Sequence, residues 1–271
     1  SSELVNGSVQ ITNNTTYVKA NPSYPLGTDH LGHGMLSRVI YGARTSLLVG
    51  LLGTALAALI GVTVGLAAGY YGERVDDVLM RSADIMLAFP SLVLAIALVG
   101  VFGREVQRFP DPLVAMGIEP GMPEKVAIPV TVVVVVALVN WVWFARVARG
   151  EALTVESEEY VKAARSVGAS DSFILRKHIL PNSVTPIIVL ATIQIAAIIL
   201  LESALSYLGF SGVNLSWGFD IAQGRDYLAT SWWISTVPGI AIVLTVIGIN
   251  LLGDWLRDAL DPGIEGEGGG V

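Results

Sequence analysis

The sequence predicts an all-α, polytopic membrane protein, and three observations carry that reading. Charged residues make up 14% of the 271 positions and hydrophobic residues 53%, with a mean hydropathy of +0.64. Soluble domains carry about 25% charge, so a soluble chain this poor in charge could hardly cover its surface. The apolar residues also lie in long uncharged runs rather than being spread evenly. Five of these runs reach the roughly 20 residues that a bilayer-spanning helix needs.

The five runs are Thr45–Gly72, Ile85–Gly103 (which carries Pro90), the Val-rich Val126–Ala145, Pro181–Leu201 and Tyr227–Gly253, which begins near Trp232 and Trp233. Spanning β-strands would alternate apolar and polar residues over about 10 positions, a pattern that is absent. Between the runs lie Glu73–Asp84, Arg104–Lys125, Arg146–Leu180 and Glu202–Asp226. Pro110, Pro112, Pro120, Gly121 and Pro123 make Arg104–Lys125 read as an irregular connection. The chain divides into an extracytoplasmic segment over 1–44, a transmembrane domain over 45–262 and a Gly/Glu-rich tail over 263–271, expected to be disordered.

Orientation follows from Lys and Arg in the short loops. Nine basic residues fall on the side of Glu73–Asp84, Arg146–Leu180 and the C-terminus, against seven on the other side. Six of the nine cluster in Arg146–Leu180, which assigns that loop to the cytoplasm. Residues 1–44 then start outside with no signal peptide, an arrangement that implies a further span upstream. Asn6, Asn13, Asn14 and Asn214, all in Asn-x-Ser/Thr sequons, fall outside as well, with the unmodified form as the default.

The absence of cysteine excludes disulfides, thiolate metal sites and Cys nucleophiles. A net charge of −7 argues against a nucleic-acid partner. His30 and His33, with Asp29 beside them, make too thin a donor set for a metal, and none is assigned. An intramembrane enzyme would need a catalytic pair inside a span, where only boundary carboxylates occur. A secondary transporter would need inverted repeats and buried ion ligands, and no repeat is visible. No catalytic residue is assigned.

Three features carry functional weight. Gly53, Ala57, Gly61, Gly65 and Gly69 place a small residue at every fourth position of the first run. Lipid is as apolar as Leu, so helices associate in a bilayer by close backbone approach, and such a ladder reads as a packing face. Glu202 ends the fourth run; lining of a pathway and simple boundary placement are equally open to it. The third feature is the charged stretch Glu151–Asn182. Ser157 is placed to cap a helix bearing Tyr160, Val161, Ala164 and Val167 on one face, and Gly168 to break it. Ser170 or Asp171 would cap a second short helix with Phe173, Ile174 and Leu175, and Pro181 would open the next span. The pattern is helix, tight turn, short helix, membrane re-entry. Periodicity alone leaves an exposed docking key and an ordinary interfacial loop equally open.

The residues Ala163-Ala164, three positions, Gly168, nine positions, then His178-Ile179-Leu180-Pro181 resemble the EAA loop of ABC importer permeases. Lys162 stands where that motif has Glu, and His178 where it has Ile. Pro25-Leu26-Gly27-Thr28-Asp29, Gly42-Ala43-Arg44-Thr45-Ser46-Leu47, Arg81-Ser82-Ala83-Asp84 before Phe89-Pro90-Ser91, Leu205-Ser206-Tyr207-Leu208-Gly209-Phe210 and Gly253-Asp254-Trp255-Leu256-Arg257 extend the similarity over about residues 24–262. Together they resemble the DppC/OppC-type permeases of the dipeptide/oligopeptide (and nickel) branch, the binding-protein-dependent inner-membrane components.

That resemblance implies a MetI-like, type I importer fold in the cell membrane, with a first span that this sequence lacks. It implies a second homologous permease, two cytoplasmic ATPases and an extracytoplasmic peptide-binding protein as partners. ATP would be bound by the ATPases, and no cofactor by this chain, which has no GxxxxGK[ST] loop. The substrates implied are di- or oligopeptides, with nickel or another small solute as the alternative. The resemblance also assigns ATPase coupling to the loop at 151–182, through Ala163, Ala164, Gly168, Ala169, Ser170, Asp171, Ser172, Phe173, Ile174, Leu175, Leu180 and Pro181, with Ala169–Leu175 as the coupling helix.

Overall fold

The computed structural model describes residues 2–5, 8–11, 18–111, 114, 116–117, 125–212 and 214–260. The sequons at Asn6, Asn13 and Asn14 and the tail over 263–271 lie outside the described residues. Two short strands, β1 (Ser2–Val5) and β2 (Ser8–Ile11), pair antiparallel at the N-terminus.

Helix α1 runs unbroken from Met35 to Tyr71. At about 1.5 Å per residue it is roughly 55 Å long, well beyond the ~30 Å of a hydrocarbon core. Residues 35–44, expected in the aqueous segment, are therefore its first turns. Gly72, at φ +58°, ends it and starts α2 (Glu73–Leu87). α3 (Ser91–Phe102) follows after a 95° bend. The second apolar run is thus broken, where the sequence read Ile85–Gly103, with its Pro90, as one crossing. Pro90 is the cause: it has no N–H to donate, and it disfavours the α conformation at Phe89.

The connection Arg104–Lys125 is not wholly irregular. Its ends pair as an antiparallel ribbon, β3 (Gln107–Pro110) against β4 (Lys125–Ile128), with Gln107 opposite Ile128. Val126 and Ile128 therefore leave the third span, which is α4 (Val130–Glu156). The short α5 (Glu159–Ser166) and α6 (Asp171–Ile174) follow. A π-turn over Leu175–Ile179 then leads into α7 (Leu180–Tyr207). Beyond it lie α8 (Trp217–Gly224), α9 (Leu228–Ser231) and α10 (Trp233–Leu260). By length and composition, α1, α4, the continuous Asp171–Tyr207 and α10 can each cross a membrane, and the bent α2–α3 pair, taken as one span, would be a fifth.

The small-residue ladder of α1 forms the central seam. All five ladder residues are buried. A Cβ added at Gly61 would lie 2.2 Å from the Trp141 carbonyl oxygen, and one at Gly65 2.2 Å from that of Ala145. One at Gly53 would meet Val136, and one at Gly69 the Cβ of Ala152. Because both contact series ascend together, α1 and α4 run parallel, backbone against backbone. α7 covers the other flank of α1, where a Cβ at Gly50 would strike Ile199. α10 packs on α7 at Gly253 and Thr192. One end of the bundle thus carries Tyr71, Glu156, the α5–α6 loop and the end of α10. The other carries residues 18–34, the ribbon and α8.

Candidate functional site: the loop over residues 157–180

The loop is built from the ends of two helices. Ser157 does not cap α5. It ends α4, donating its hydroxyl to the Thr154 carbonyl at 2.8 Å, and Glu158 holds the N-cap position without a side-chain bond. α5 lays Val161, 1% exposed, into a cluster with Leu66, Tyr70, Ala152, Val155, Ile174 and Ile179. Ala163 and Ala164 sit on α5, whose last turn closes on Gly168 at φ +86°; no atom crowds that position, so backbone conformation alone selects glycine. Ala169 packs against the same cluster.

Ser170 caps α6, accepting from the Phe173 N–H at 3.4 Å. Asp171 begins the helix and accepts from the Tyr70 hydroxyl at 2.7 Å, which ties the loop to the end of α1. The Arg165 guanidinium lies 5.3 Å from the Tyr70 ring centre and pairs with Glu156 at 3.0 Å. Ile174 is fully buried, whereas Phe173 is half exposed and Val167 is 85% exposed. His178 lies between the rings of Tyr160 and Phe173, with centroids 5.6 and 5.7 Å away. An aromatic and aliphatic tip thus stands out, flanked by the basic Arg176 and Lys177.

The sequence suggested a separate short helix over Ala169–Leu175 followed by re-entry at Pro181. Instead α6 continues through the π-turn into α7 without a break. Leu180 donates its N–H to the Leu175 carbonyl, five residues back. Pro181 has no N–H of its own, and the wider π ladder next to it lets the helix continue past that missing donor. Leu180 is 37% exposed at this junction, and Ser172 lies on the exposed face of α6.

Glu202 sits in a closed polar cage near the end of α7. It is fully buried, five residues before α7 ends, and accepts from the hydroxyls of Ser46 at 3.0 Å and Ser206 at 2.5 Å. Ser46 also accepts from the Trp217 backbone N–H, so this cage ties α1, α7 and α8 together. Asn214 is buried as well, its amide donating to the Ser211 carbonyl at 3.2 Å.

Composition pointed to none of the charge pairs that set the ends of the bundle. At the far end, Arg38 donates to Asp29 at 2.9 Å and to the enclosed Asp220. His33 contacts Asp29 through Nδ1 at 3.0 Å, and His30 stacks on Tyr227. Arg44 pairs with Asp111. At the loop end, Arg149 grips Asp76 through two bonds of 2.5 Å, and Arg146 pairs with Asp84 at 2.7 Å. Arg44, Asp84 and Arg146 directly adjoin uncharged runs, whereas Asp29 and Asp111 lie well inside the connections, and the partners join segments up to 182 residues apart.

Four helices long and apolar enough to cross a membrane, a further apolar pair bent at a proline, and a basic loop held in helical register with a span define a multi-pass membrane protein. A family model described as "Binding-protein-dependent transport system inner membrane component" matches residues 61–266, and the chain belongs to that family. It is therefore a multi-pass protein of the cell membrane. It is 39% identical over 244 residues to a putative peptide transport system permease protein of Brucella suis biovar 1 (strain 1330), covering 89% of this chain and 74% of that one. It is 37% identical over 259 residues to the dipeptide transport system permease protein DppC of Alkalihalophilus pseudofirmus, covering 92% and 78%. Among solved structures, the MetNI methionine ABC transporter in an inward-facing conformation matches with a TM-score of 0.63 at 17% identity, over 84% of this chain and 98% of that one. That likeness shows the MetI-like fold.

Proposed function

We propose that this chain forms half of the translocation pathway of an ABC importer for di- or oligopeptides and is driven by a separate ATPase. The second half of the pathway is a homologous permease, the drivers are two cytoplasmic ATPases, and an extracytoplasmic peptide-binding protein delivers the substrate. The chain itself performs no covalent chemistry and holds no ATP. Peptide transport rests on the likeness to peptide and dipeptide permeases over nine-tenths of the chain.

The observation that carries the coupling role is the continuity from Asp171 to Tyr207. An ATPase gripping Val167, Phe173 and Arg176 would act on the same rigid rod that crosses the bilayer. Asp171 on Tyr70 and Val161 in the inner cluster would pass the same displacement to α1 and α4.

The test is co-purification from cells expressing all five components. Two ATPase chains should accompany the wild type. Gly168→Val places a β-branched residue at φ +86°, and it should cut ATP-driven peptide uptake at least tenfold while membrane insertion is unchanged. Recovery of a lone carrier that works without ATP would overturn the reading.

A further inference from the structure

A cavity of about 420 Å³ opens where the second span is broken. Its walls come from three elements: Phe89 and Ser91 at the bend, Asn140 and Trp143 of α4, and Gln194 of α7. The volume lies within the roughly 300–1,000 Å³ of small-molecule sites. The 95° bend between α2 and α3 borders this cavity. Phe89 and Trp143 are 54% and 48% exposed, so the cavity opens on the surface of the chain rather than being sealed inside it.

Its polar chemistry is specific. No lining residue is charged. Gln194 is 6% exposed, and its Nε2 has no hydrogen-bond partner. A buried amide donor left unpaired is costly, and α7 would avoid that cost with Leu or Ile at this position. Across the cavity, Asn140 spends its Nδ2 on the Val136 carbonyl at 2.7 Å, which leaves Oδ1 as an acceptor. The unpaired Gln194 amide nitrogen and the Asn140 carbonyl oxygen, both neutral and flanked by two aromatic rings, match the carbonyl and N–H of a secondary amide between apolar side chains.

We infer that this cavity is a transit site for the peptide backbone, in which Gln194 donates to a substrate carbonyl, Asn140 accepts from a substrate N–H, and Phe89 and Trp143 take the side chains. The assignment rests on the peptide-import reading above. The lining carries no charge, so it addresses the amide of a peptide rather than its charged ends. It is also sequence-tolerant, because every peptide presents the same amide. The bend places Phe89 at its mouth, so any change in the α2–α3 angle alters access to it.

The experiment uses the complete transporter in proteoliposomes, with the binding protein saturated by alanyl-alanine so that external recognition drops out of the rate. Gln194→Leu keeps the size and removes the donor. It should lower maximal uptake roughly tenfold, the factor expected for one lost hydrogen bond, with ATPase content and peptide-free ATP turnover as in the wild type. Unchanged uptake overturns the site. In case that variant fails to assemble, a second measurement uses the unmodified protein: alanyl-p-azidophenylalanine is photolysed during import. Adducts should fall on residues 86–91 or 139–143. Import of that dipeptide with adducts only elsewhere also overturns the site. A wild-type transporter that imports neither dipeptide refutes the peptide reading itself, a result distinct from both.

Discussion

At the scale of single residues, the tightest approaches along the seam between α1 and α4 are to backbone atoms, at Gly61 and Gly65. A substituent at Gly65 would lie 2.2 Å from a carbonyl oxygen that belongs to a regular helix and cannot rotate away. Gly65→Leu should therefore cost at least about 2 kcal/mol, the range for overpacking against an unyielding neighbour. Thermal unfolding in detergent reads this directly, and an unchanged midpoint would mean that the seam opens more easily than its geometry implies. Asp29 offers a second test. Burial raises its pKa, but the His33 side chain, the His33 and Leu31 backbone N–H groups and the Arg38 charge outweigh burial and hold the carboxyl below its usual 3.8. Asp220 shares Arg38 but is pushed up, because burial dominates there. A depressed carboxyl adds stability above its unfolded pKa and loses it as pH falls through the folded value. The wild type should therefore lose more thermal stability than Asp29→Asn between pH 5 and pH 3. Parallel pH profiles would count against the Asp29 pairing.

At the scale of elements, α2 is a short rod with a break at each end: Gly72 on one side and the Pro90 bend on the other. Two arginines of α4, Arg146 and Arg149, hold it along one face. The Arg149–Asp76 pair is bidentate and only partly exposed, so it should couple the two helices by about 1 kcal/mol, near the top of the surface range. A double-mutant cycle with Asp76→Ala and Arg149→Ala measures it, and strict additivity would show that the pair does not constrain α2. The elements also show how far sequence reasoning reached. Uncharged length located the four helices long and apolar enough to cross, because exclusion of charge from a bilayer depends on composition alone. It did not give the bend, since a proline inside an apolar run is compatible with either a kinked span or a broken one. Nor did it give the ribbon, whose four-residue strands are shorter than any reliable alternation. Ser157 was misread because a hydroxyl at a helix junction can serve the helix before it as well as the one after.

At the scale of the whole molecule, the spacing of the loop motif located the α5–α6 loop but not its attachment. The Asp171–Tyr70 bond and the π-turn join residues that no local window links. Gln194, too, reads in sequence as one polar residue in an apolar helix; only the fold sets it beside Asn140 and the bend. The seam between α1 and α4 also has a consequence for how the protein is made. α1 enters the bilayer before α4, with a groove of bare backbone along one side. Its mate arrives only after α2, α3 and the ribbon have been synthesised. Until then the groove faces lipid or a membrane chaperone, and the nascent chain is open to quality-control proteolysis. Nascent chains truncated after Pro129 should be degraded quickly, and those truncated after Glu156 should survive markedly longer in a pulse-chase experiment. Equal half-lives would mean that α1 finds another temporary cover. The ladder that seats α1 on α4 in the finished protein is thus also a weakness while the chain is being made.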